Sequence, residues 1–157
     1  MTKTVIYHGS SQVVSEPEIR IAKYHKDFYY GFYCTIIYEQ AMRWATRFGD
    51  IGYISKYEYK PDPALKILRF ETMTEEWLDF IANCRIGRPH TYDIVEGPMA
   101  NDTIFNYVQG FVDGKISRSA FWELAKFKRP THQISFHTIA ALQTLQFIGE
   151  EKINEEK

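Results

Sequence analysis

Two short motifs near the start of the chain combine residue types that bind a ligand carrying a planar ring and sugar hydroxyls. The first, Tyr7-His8-Gly9-Ser10, ends a segment that alternates like a β-strand, and the second is Gly31-Phe32-Tyr33-Cys34-Thr35. A glycine directly after a strand lets the main chain approach a ligand closely. A histidine or serine can hydrogen-bond to hydroxyl and amide groups, and a tyrosine ring can cover a flat heterocycle. The two motifs together therefore predict one ligand site.

The elements that must position these motifs alternate between strands and helices, without the regular spacing of β-α-β units. Strands are predicted at residues 2–7, 53–59, 65–70, 92–95 and 132–136. Helices are predicted to begin near Gln40, at Thr72 with a capping box to Glu75, at Asn101 or Asp102, at Ser117 and near Ile139, the last ending at Gly149. Residues 9–30 are expected to form a long loop, and Gly97-Pro98 a turn. The mixture indicates an α+β domain.

The motifs resemble those of the ADP-ribosyltransferase superfamily of the diphtheria-toxin and poly(ADP-ribose) polymerase type, which uses a His-Tyr-Glu triad on three separated strands. The helical segment Gln40-Ala41-Met42-Arg43-Trp44-Ala45 extends the likeness. A bacterial branch, the domain-of-unknown-function family 3990, is similar to this chain over nearly its full length, including Tyr92-Asp93-Ile94-Val95. The resemblance implies a split β-sandwich of two small sheets with flanking helices. It also implies NAD as co-substrate and no metal.

The resemblance assigns roles to single residues. His8 matches the triad histidine that binds the ribose and orients the nicotinamide, and Tyr33 matches the tyrosine that stacks on the nicotinamide ring. Gly9 matches the glycine whose main chain holds the carboxamide. The implied catalytic residues are His8, Tyr33 and Gln133, and the implied NAD-binding residues are His8, Gly9, Ser10, Tyr33, Thr35 and Trp44.

The third triad position departs from the superfamily pattern, because Gln133 stands where the superfamily has glutamate. An amide can still hold a ribose hydroxyl. It cannot act as a base, nor offset positive charge as a carboxylate does. Elongation of poly(ADP-ribose) is therefore not expected. Transfer of one ADP-ribose and NAD binding without turnover both stay open.

Three acidic residues, Asp93, Glu96 and Asp102, cluster around Gly97-Pro98, and Asp93 and Glu96 are singled out among them. The cluster allows two interpretations. They can shape a turn before a capped helix. They can also form an acceptor or partner surface, or supply a carboxylate in place of the missing glutamate.

Other features restrict the class of protein. The histidines at 25, 90, 132 and 137 lack metal-ligand spacing, so we expect structural or surface roles for them and no metal site. Cys34 and Cys84 form no redox motif and are expected to be free thiols in a reducing cytoplasm. A net charge of −1 argues against binding to nucleic acid or membranes by bulk electrostatics. No signal peptide or membrane span is recognised, so a cytoplasmic location without membrane partners is expected.

The length of 157 residues fits one domain, expected at residues 1–149, with residues 150–157 as a frayed charged tail. The resemblance implies a mono-ADP-ribosyltransferase that cleaves NAD and modifies a protein or nucleic-acid acceptor. A bacterial toxin paired with an antitoxin protein, or a defence factor, is the setting it suggests. Two alternatives stay open: a binding module for NAD, ADP-ribose or a protein, and an NAD glycohydrolase.

Overall fold

The computed structural model describes residues 4–19, 27–47, 49–100, 102–126 and 131–154. Strands and helices alternate along this part of the chain. In order they are β1 (Thr4–Ser10), β2 (Phe32–Cys34), α1 (Tyr38–Ala45), β3 (Ile51–Tyr59), β4 (Ile67–Arg69), α2 (Glu75–Arg85), β5 (Ile94–Met99), α3 (Asp102–Val112), α4 (Arg118–Ala125), β6 (Thr131–Phe136), α5 (Ile139–Leu142) and β7 (Leu145–Asn154).

The strands form two small sheets, which confirms the α+β class. One sheet has the order β1-β3-β7 and the other the order β2-β6-β5-β4. Neighbouring strands are antiparallel except for β4 and β5, which are parallel. The sheets meet where Tyr7 and Thr35 exchange two main-chain hydrogen bonds of 2.9 Å. This bridge sets the middle of β1 beside the end of β2.

Two apolar cores hold these layers together. Because side chains alternate along a strand, one set from each sheet fills the space between the sheets: Ile6, Phe32, Cys34, Tyr57, Tyr59, Ile94, Ile134, Phe136 and others. The second core lies on the outer face of the four-stranded sheet, where Tyr33 and Val95 pack against α2, α3 and α4. Full burial of one large apolar side chain contributes about 1.5–3 kcal/mol. The strand predicted at residues 53–59 is confirmed as part of β3, on which Ser55 and Tyr57 are buried.

Helix α1 packs on the outer face of the three-stranded sheet at two glycines. A Cβ atom at Gly9 would lie 2.0 Å from the carbonyl oxygen of Ala41. A Cβ atom at Gly52 would lie 1.8 Å from the carbonyl oxygen of Ala45. The helix main chain therefore occupies the space that side chains at these positions would need. Gly9 is required here for the contact between a strand and a helix.

The end of the chain differs from its prediction. The expected helix from 139 to Gly149 ends at Leu142, and β7 follows it and pairs with β3 as far as Asn154. The frayed tail predicted from residue 150 is therefore wrong for residues 150–154, and residues 155–157 lie outside the described part. Leu145 and Phe147 pack between the sheets, and half-buried and exposed residues alternate along the whole strand.

The predicted turn at Gly97-Pro98 is also wrong, because β5 continues through both residues. Pro98 lies opposite His132, whose N–H and C=O hydrogen-bond to the side-chain amide of Gln40. The Pro98 carbonyl instead accepts from Trp77 Nε1 at 2.9 Å. Pro98 has no N–H to donate, and its nitrogen faces the side of β5 on which β4 has already ended. The sheet therefore loses no hydrogen bond at this proline.

The predicted helix starts are confirmed in part. Ser117 Oγ accepts from Ala120 N at 3.1 Å, as predicted for α4. The cap of α2 is Thr74, not Thr72, since Thr74 Oγ1 accepts from Trp77 N at 3.2 Å. Asn101, one of the two predicted starts of α3, lies outside the described residues, as do residues 20–26 of the predicted long loop. No helix in the described ranges is both long and apolar enough to cross a membrane.

Replacing Gly9 or Gly52 by alanine is expected to lower the free energy of unfolding by about 1–3 kcal/mol, because α1 must move away from the sheet. Gly49→Ala is the matched control, since a Cβ atom at Gly49 meets nothing within 4 Å. Equilibrium unfolding in urea measures all three variants. A Gly9→Ala protein as stable as the wild type would contradict this packing of α1.

Candidate functional site

The three residues of the predicted triad lie on three neighbouring strands. His8 is on β1, Tyr33 is on β2 and Gln133 is on β6, which pairs with β2. His8 and Tyr33 are linked directly, because His8 Nδ1 donates to the Tyr33 carbonyl oxygen at 2.6 Å. All three side chains are buried, with exposed fractions of 9% for His8, 9% for Tyr33 and 2% for Gln133.

The side chains of His8 and Tyr33 point to opposite faces of β2. His8 stacks on Phe32 at a ring distance of 4.3 Å, and Phe32 belongs to the core between the sheets. Tyr33, one residue further along β2, belongs to the core beneath the helices. The structure thus joins His8 and Tyr33 through the main chain and does not bring their rings into one cleft. Their roles toward NAD stay predictions.

The Tyr33 side chain holds the segment that precedes its own strand. Its hydroxyl donates to the carbonyl oxygen of Tyr29 at 2.6 Å and accepts from the main-chain N–H of Phe28 at 3.0 Å. Burial, helped by the negative charge of Asp27, keeps the pKa of this hydroxyl well above its ordinary value. A stacking role for Tyr33 would require residues 27–30 to move away from it.

Three side chains clamp the carbonyl groups of residues 28–30. His90 Nε2 donates to the first carbonyl at 2.9 Å, the Tyr33 hydroxyl to the second and His137 Nδ1 to the third at 2.7 Å. Tyr29, in the middle, has φ of 78°, a region that non-glycine residues rarely occupy. The clamp offsets the cost of this conformation and sets the direction in which the chain enters β2.

A buried ion pair anchors the same segment. Asp27 Oδ1 accepts from Arg85 Nη2 at 2.6 Å and from Nε at 2.9 Å, while Oδ2 accepts from Ala100 N at 3.2 Å. The two side chains are 8% and 3% exposed. Removing one partner of such a pair costs about 3–5 kcal/mol, because a buried charge is left without compensation.

The clamp requires two neutral histidines. His90 Nδ1 accepts from Tyr92 N at 3.0 Å, so this ring donates with one nitrogen and accepts with the other. His137 Nε2 hydrogen-bonds to the Ser135 hydroxyl at 2.7 Å, and that hydroxyl also contacts the Val95 carbonyl oxygen at 3.2 Å. Burial and the neighbouring His90, whose ring centre is 4.4 Å away, lower the pKa of His137 to about 4. Burial also lowers the pKa of His90. Both histidines are structural, while His25 lies outside the described residues.

The remaining predicted NAD-binding residues have local partners. Gly9 packs against the main chain of α1, as described above. Ser10 Oγ donates to the carbonyl oxygen of Gln12, and Thr35 Oγ1 accepts from Ile37 N at 3.1 Å. Trp44 is half-buried on α1. None of these contacts tests NAD binding.

Gln133 differs from these residues because its amide nitrogen has no local hydrogen-bond partner among the described residues. Its Nε2 atom is buried and has no hydrogen-bond partner within the described ranges. Buried polar atoms nearly always have a partner, and an exception in a native protein calls for an explanation such as a ligand or water. Gln133 lies opposite Gly97, which has no side chain, across the β5–β6 pair. The Gln133 amide nitrogen is therefore a donor ready for a ligand acceptor.

The two acidic residues singled out from the sequence have different environments. Asp93 Oδ2 accepts from Lys66 N at 2.8 Å and Oδ1 accepts from Thr138 Oγ1 at 2.7 Å. These hydrogen bonds lower the pKa of Asp93. Asp93 therefore joins the start of β4 to the start of α5, which is a structural role.

Glu96 instead pairs with a histidine that sequence reasoning did not assign to the site. Glu96 Oε2 accepts from His132 Nε2 at 2.8 Å, and Oε1 accepts from Arg69 Nε at 3.1 Å. Burial raises the pKa of Glu96, but the His132 and Arg69 contacts outweigh it and the pKa is lowered overall. Only the course of β5 through Gly97-Pro98 sets Glu96 beside His132. Residues 94–99 read Ile-Val-Glu-Gly-Pro-Met and show no alternating polarity, so no signal in the sequence pointed to this contact.

The His137 environment predicts acid sensitivity. Its pKa is about 4 in the folded state and near 6.5 in the unfolded state, so the unfolded chain binds more protons between these values. The stability that neutral His137 provides is complete above about pH 6.5 and falls by up to about 3 kcal/mol as the pH approaches 4.

Urea unfolding at several pH values between 7.5 and 4.5, for the wild type and for His137→Gln, measures this effect. We expect the variant to lose less stability than the wild type across this range, because glutamine can still donate to the Tyr30 carbonyl and carries no titrating proton. Parallel curves for the two proteins would contradict a neutral His137 in the clamp.

Comparison with known proteins places the chain in a family. No curated protein and no solved structure matches it. A family model described as "Protein of unknown function (DUF3990)" matches residues 4–147, which extend from β1 into β7 and include every candidate site residue above. Because this match covers most of the chain, the protein belongs to the DUF3990 family.

Proposed function

We propose that this protein is a mono-ADP-ribosyltransferase that cleaves NAD and transfers ADP-ribose to a protein or nucleic-acid acceptor. One observation carries the proposal: three motifs that are far apart in the sequence meet on the adjacent strands β1, β2 and β6. These are the motifs on which the resemblance to the ADP-ribosyltransferase superfamily rests. Membership of DUF3990 is compatible with this function and does not specify it.

The proposed reaction replaces one bond to the ribose C1′ atom by another. The bond from C1′ to the nicotinamide nitrogen breaks, and its electron pair leaves with the neutral ring. The acceptor forms the new bond to C1′ and releases one proton. His8 would hydrogen-bond to the ribose. Gln133 faces the helix side of the sheet, as Tyr33 does, so a contact between its amide nitrogen and the ligand would require a rearrangement of this part of the sheet.

In this proposal Tyr33 acts as a positioning residue in the conformation described. Its carbonyl orients His8 and its hydroxyl fixes residues 28 and 29. Stacking of its ring on nicotinamide remains a prediction that depends on release of this segment. The proposed setting, a cytoplasmic toxin held by an antitoxin protein, follows from the resemblance alone.

A second candidate is a module that binds NAD or ADP-ribose without turnover. Two observations favour this module. Tyr33 is buried in the core beneath the helices, and the amide at residue 133 cannot act as a base as a carboxylate does. Calorimetric titration with NAD separates the two candidates, because the module binds and releases no nicotinamide. Hydrolysis of NAD without any labelled acceptor would instead indicate a glycohydrolase.

The proposal predicts that the wild-type protein releases nicotinamide from NAD and that His8→Ala lowers this rate by about 10²-fold or more, since loss of the residue that orients the ribose misplaces the reacting carbon. Chromatography of nicotinamide measures the rate, and labelled NAD incubated with cell lysate detects the acceptor. His90→Gln is the matched control, a buried histidine of the clamp that is expected to retain the rate. A wild-type protein that neither releases nicotinamide nor labels any acceptor would exclude the enzyme.

Gln133→Glu provides an independent test with the opposite sign. It adds a carboxylate of nearly the same shape at the position where the superfamily has one. We expect nicotinamide release to rise by about tenfold or more, because a carboxylate both offsets positive charge and accepts a proton. An unchanged or lower rate in a folded variant would show that residue 133 is not the position that limits turnover.

A further inference from the structure

We infer that His132 and Glu96 form a proton-accepting pair that activates the acceptor in the proposed reaction. This inference rests on the proposed function and deepens it. It assigns to β5 and β6 the base that Gln133 cannot provide.

The hydrogen bonds define which nitrogen of His132 can take the proton. The ionised carboxylate of Glu96 only accepts, so His132 Nε2 carries the hydrogen in their 2.8 Å contact. In the neutral ring Nδ1 then bears the lone pair. Its contacts are long, 3.4 Å to Thr35 Oγ1 and 3.4 Å to Ile36 N. A carboxylate that orients an imidazole whose other nitrogen is weakly engaged is the arrangement of a general base and its orienting partner.

The pair lies on the same side of the four-stranded sheet as His8. Cys34 is opposite Ile134, and Ile134 is opposite Glu96, so these residues form one row across β2, β6 and β5. Paired residues face the same side, and both Cys34 and Ile134 belong to the core between the sheets. His8 stacks on Phe32, which belongs to that core as well. A dinucleotide held at His8 and an acceptor held at Glu96 would therefore occupy a common side of the sheet.

Exposure also separates this pair from Gln133. The side chains of His132 and Glu96 are 18% and 20% exposed, whereas Gln133 is 2% exposed. A macromolecular acceptor and a departing proton can reach the pair from solvent. Gln133 is much less accessible from solvent in the conformation described.

The hydroxyl of Tyr59 is a second, independent sign of a ligand at this place. It is buried, and within the described ranges it has no hydrogen-bond partner. Burial, with the nearby negative charge of Glu96, raises the pKa of Tyr59 to about 12, so the hydroxyl stays protonated. A buried donor without an acceptor beside a carboxylate suits a ligand that is rich in hydroxyl groups.

The proton and the electrons balance in this scheme. The acceptor hydroxyl gives its proton to His132 Nδ1, and its oxygen electron pair forms the bond to ribose C1′. Nicotinamide leaves with the electron pair of the broken bond. The negative charge of Glu96 stabilises the imidazolium, which then loses its proton to water.

The test uses the full chain with NAD and two small nucleophiles, water and azide. Glu96→Gln and His132→Gln are expected to lower nicotinamide release with water by about 10²–10⁴-fold, the usual contribution of a general base. Azide is already an anion and needs no proton removed, so it should restore the rate of both variants toward that of the wild type with azide. A purely structural role cannot produce this rescue.

Asp93→Asn is the matched control, since Asp93 is the structural carboxylate that directly precedes β5. It should lower stability and leave nicotinamide release per folded molecule unchanged. Circular dichroism reports the folded fraction of each variant, and Glu96→Gln alone decides the outcome if His132→Gln does not fold.

The outcomes separate the two levels of the proposal. A wild type that releases no nicotinamide overturns the proposed function and the pair with it. An active wild type whose Glu96→Gln variant is equally active, or is impaired and not rescued by azide, overturns the pair and leaves the proposed function in place.

Discussion

The buried ion pair between Asp27 and Arg85 is the constraint on which the arrangement of the site depends. It connects the end of α2, the segment before β2 and the main chain of Ala100 after β5. Two charges this deeply buried are tolerated only when both are fully paired, so the three elements can meet in few ways. With Asp27 held, residues 28–30 fall within reach of the His90, Tyr33 and His137 donors. The entry of the chain into β2 is thereby set.

The position of β2 then determines the rest of the site. The Tyr33 carbonyl takes the proton of His8 Nδ1, and the bridge between Tyr7 and Thr35 holds the two sheets together at this point. Beyond the end of β2, the amide of Gln40 takes both main-chain groups of His132. It continues the hydrogen bonding of β6 where no strand residue is available. His132 is therefore fixed at its main chain by α1 and at its ring by Glu96.

Much of the local structure was predictable where one polarity period spans a whole element. The strand at residues 53–59 is an example. The serine cap of α4 at Ser117 was predictable from a local hydrogen-bonding signal, and both predictions are confirmed. Predictions were wrong where tertiary contacts outweighed a local signal. Gly97-Pro98 reads as a turn by composition, yet Trp77 and the early end of β4 let β5 continue through it. The charged residues after Gly149 read as a tail, yet β3 offers a long partner edge and they complete β7.

By itself the sequence determined which residue types were present for chemistry and in which order the motifs occur, because these are properties of the chain. It also indicated the α+β class and membership of the family. Only the tertiary structure decided which face each candidate occupies. It placed the Tyr33 side chain in the core on the helix side and joined Glu96 to His132. It also left the Gln133 amide nitrogen without a hydrogen-bond partner among the described residues. These outcomes depend on the register between strands that are distant in the sequence, and a slip of one residue would exchange the two faces of a strand.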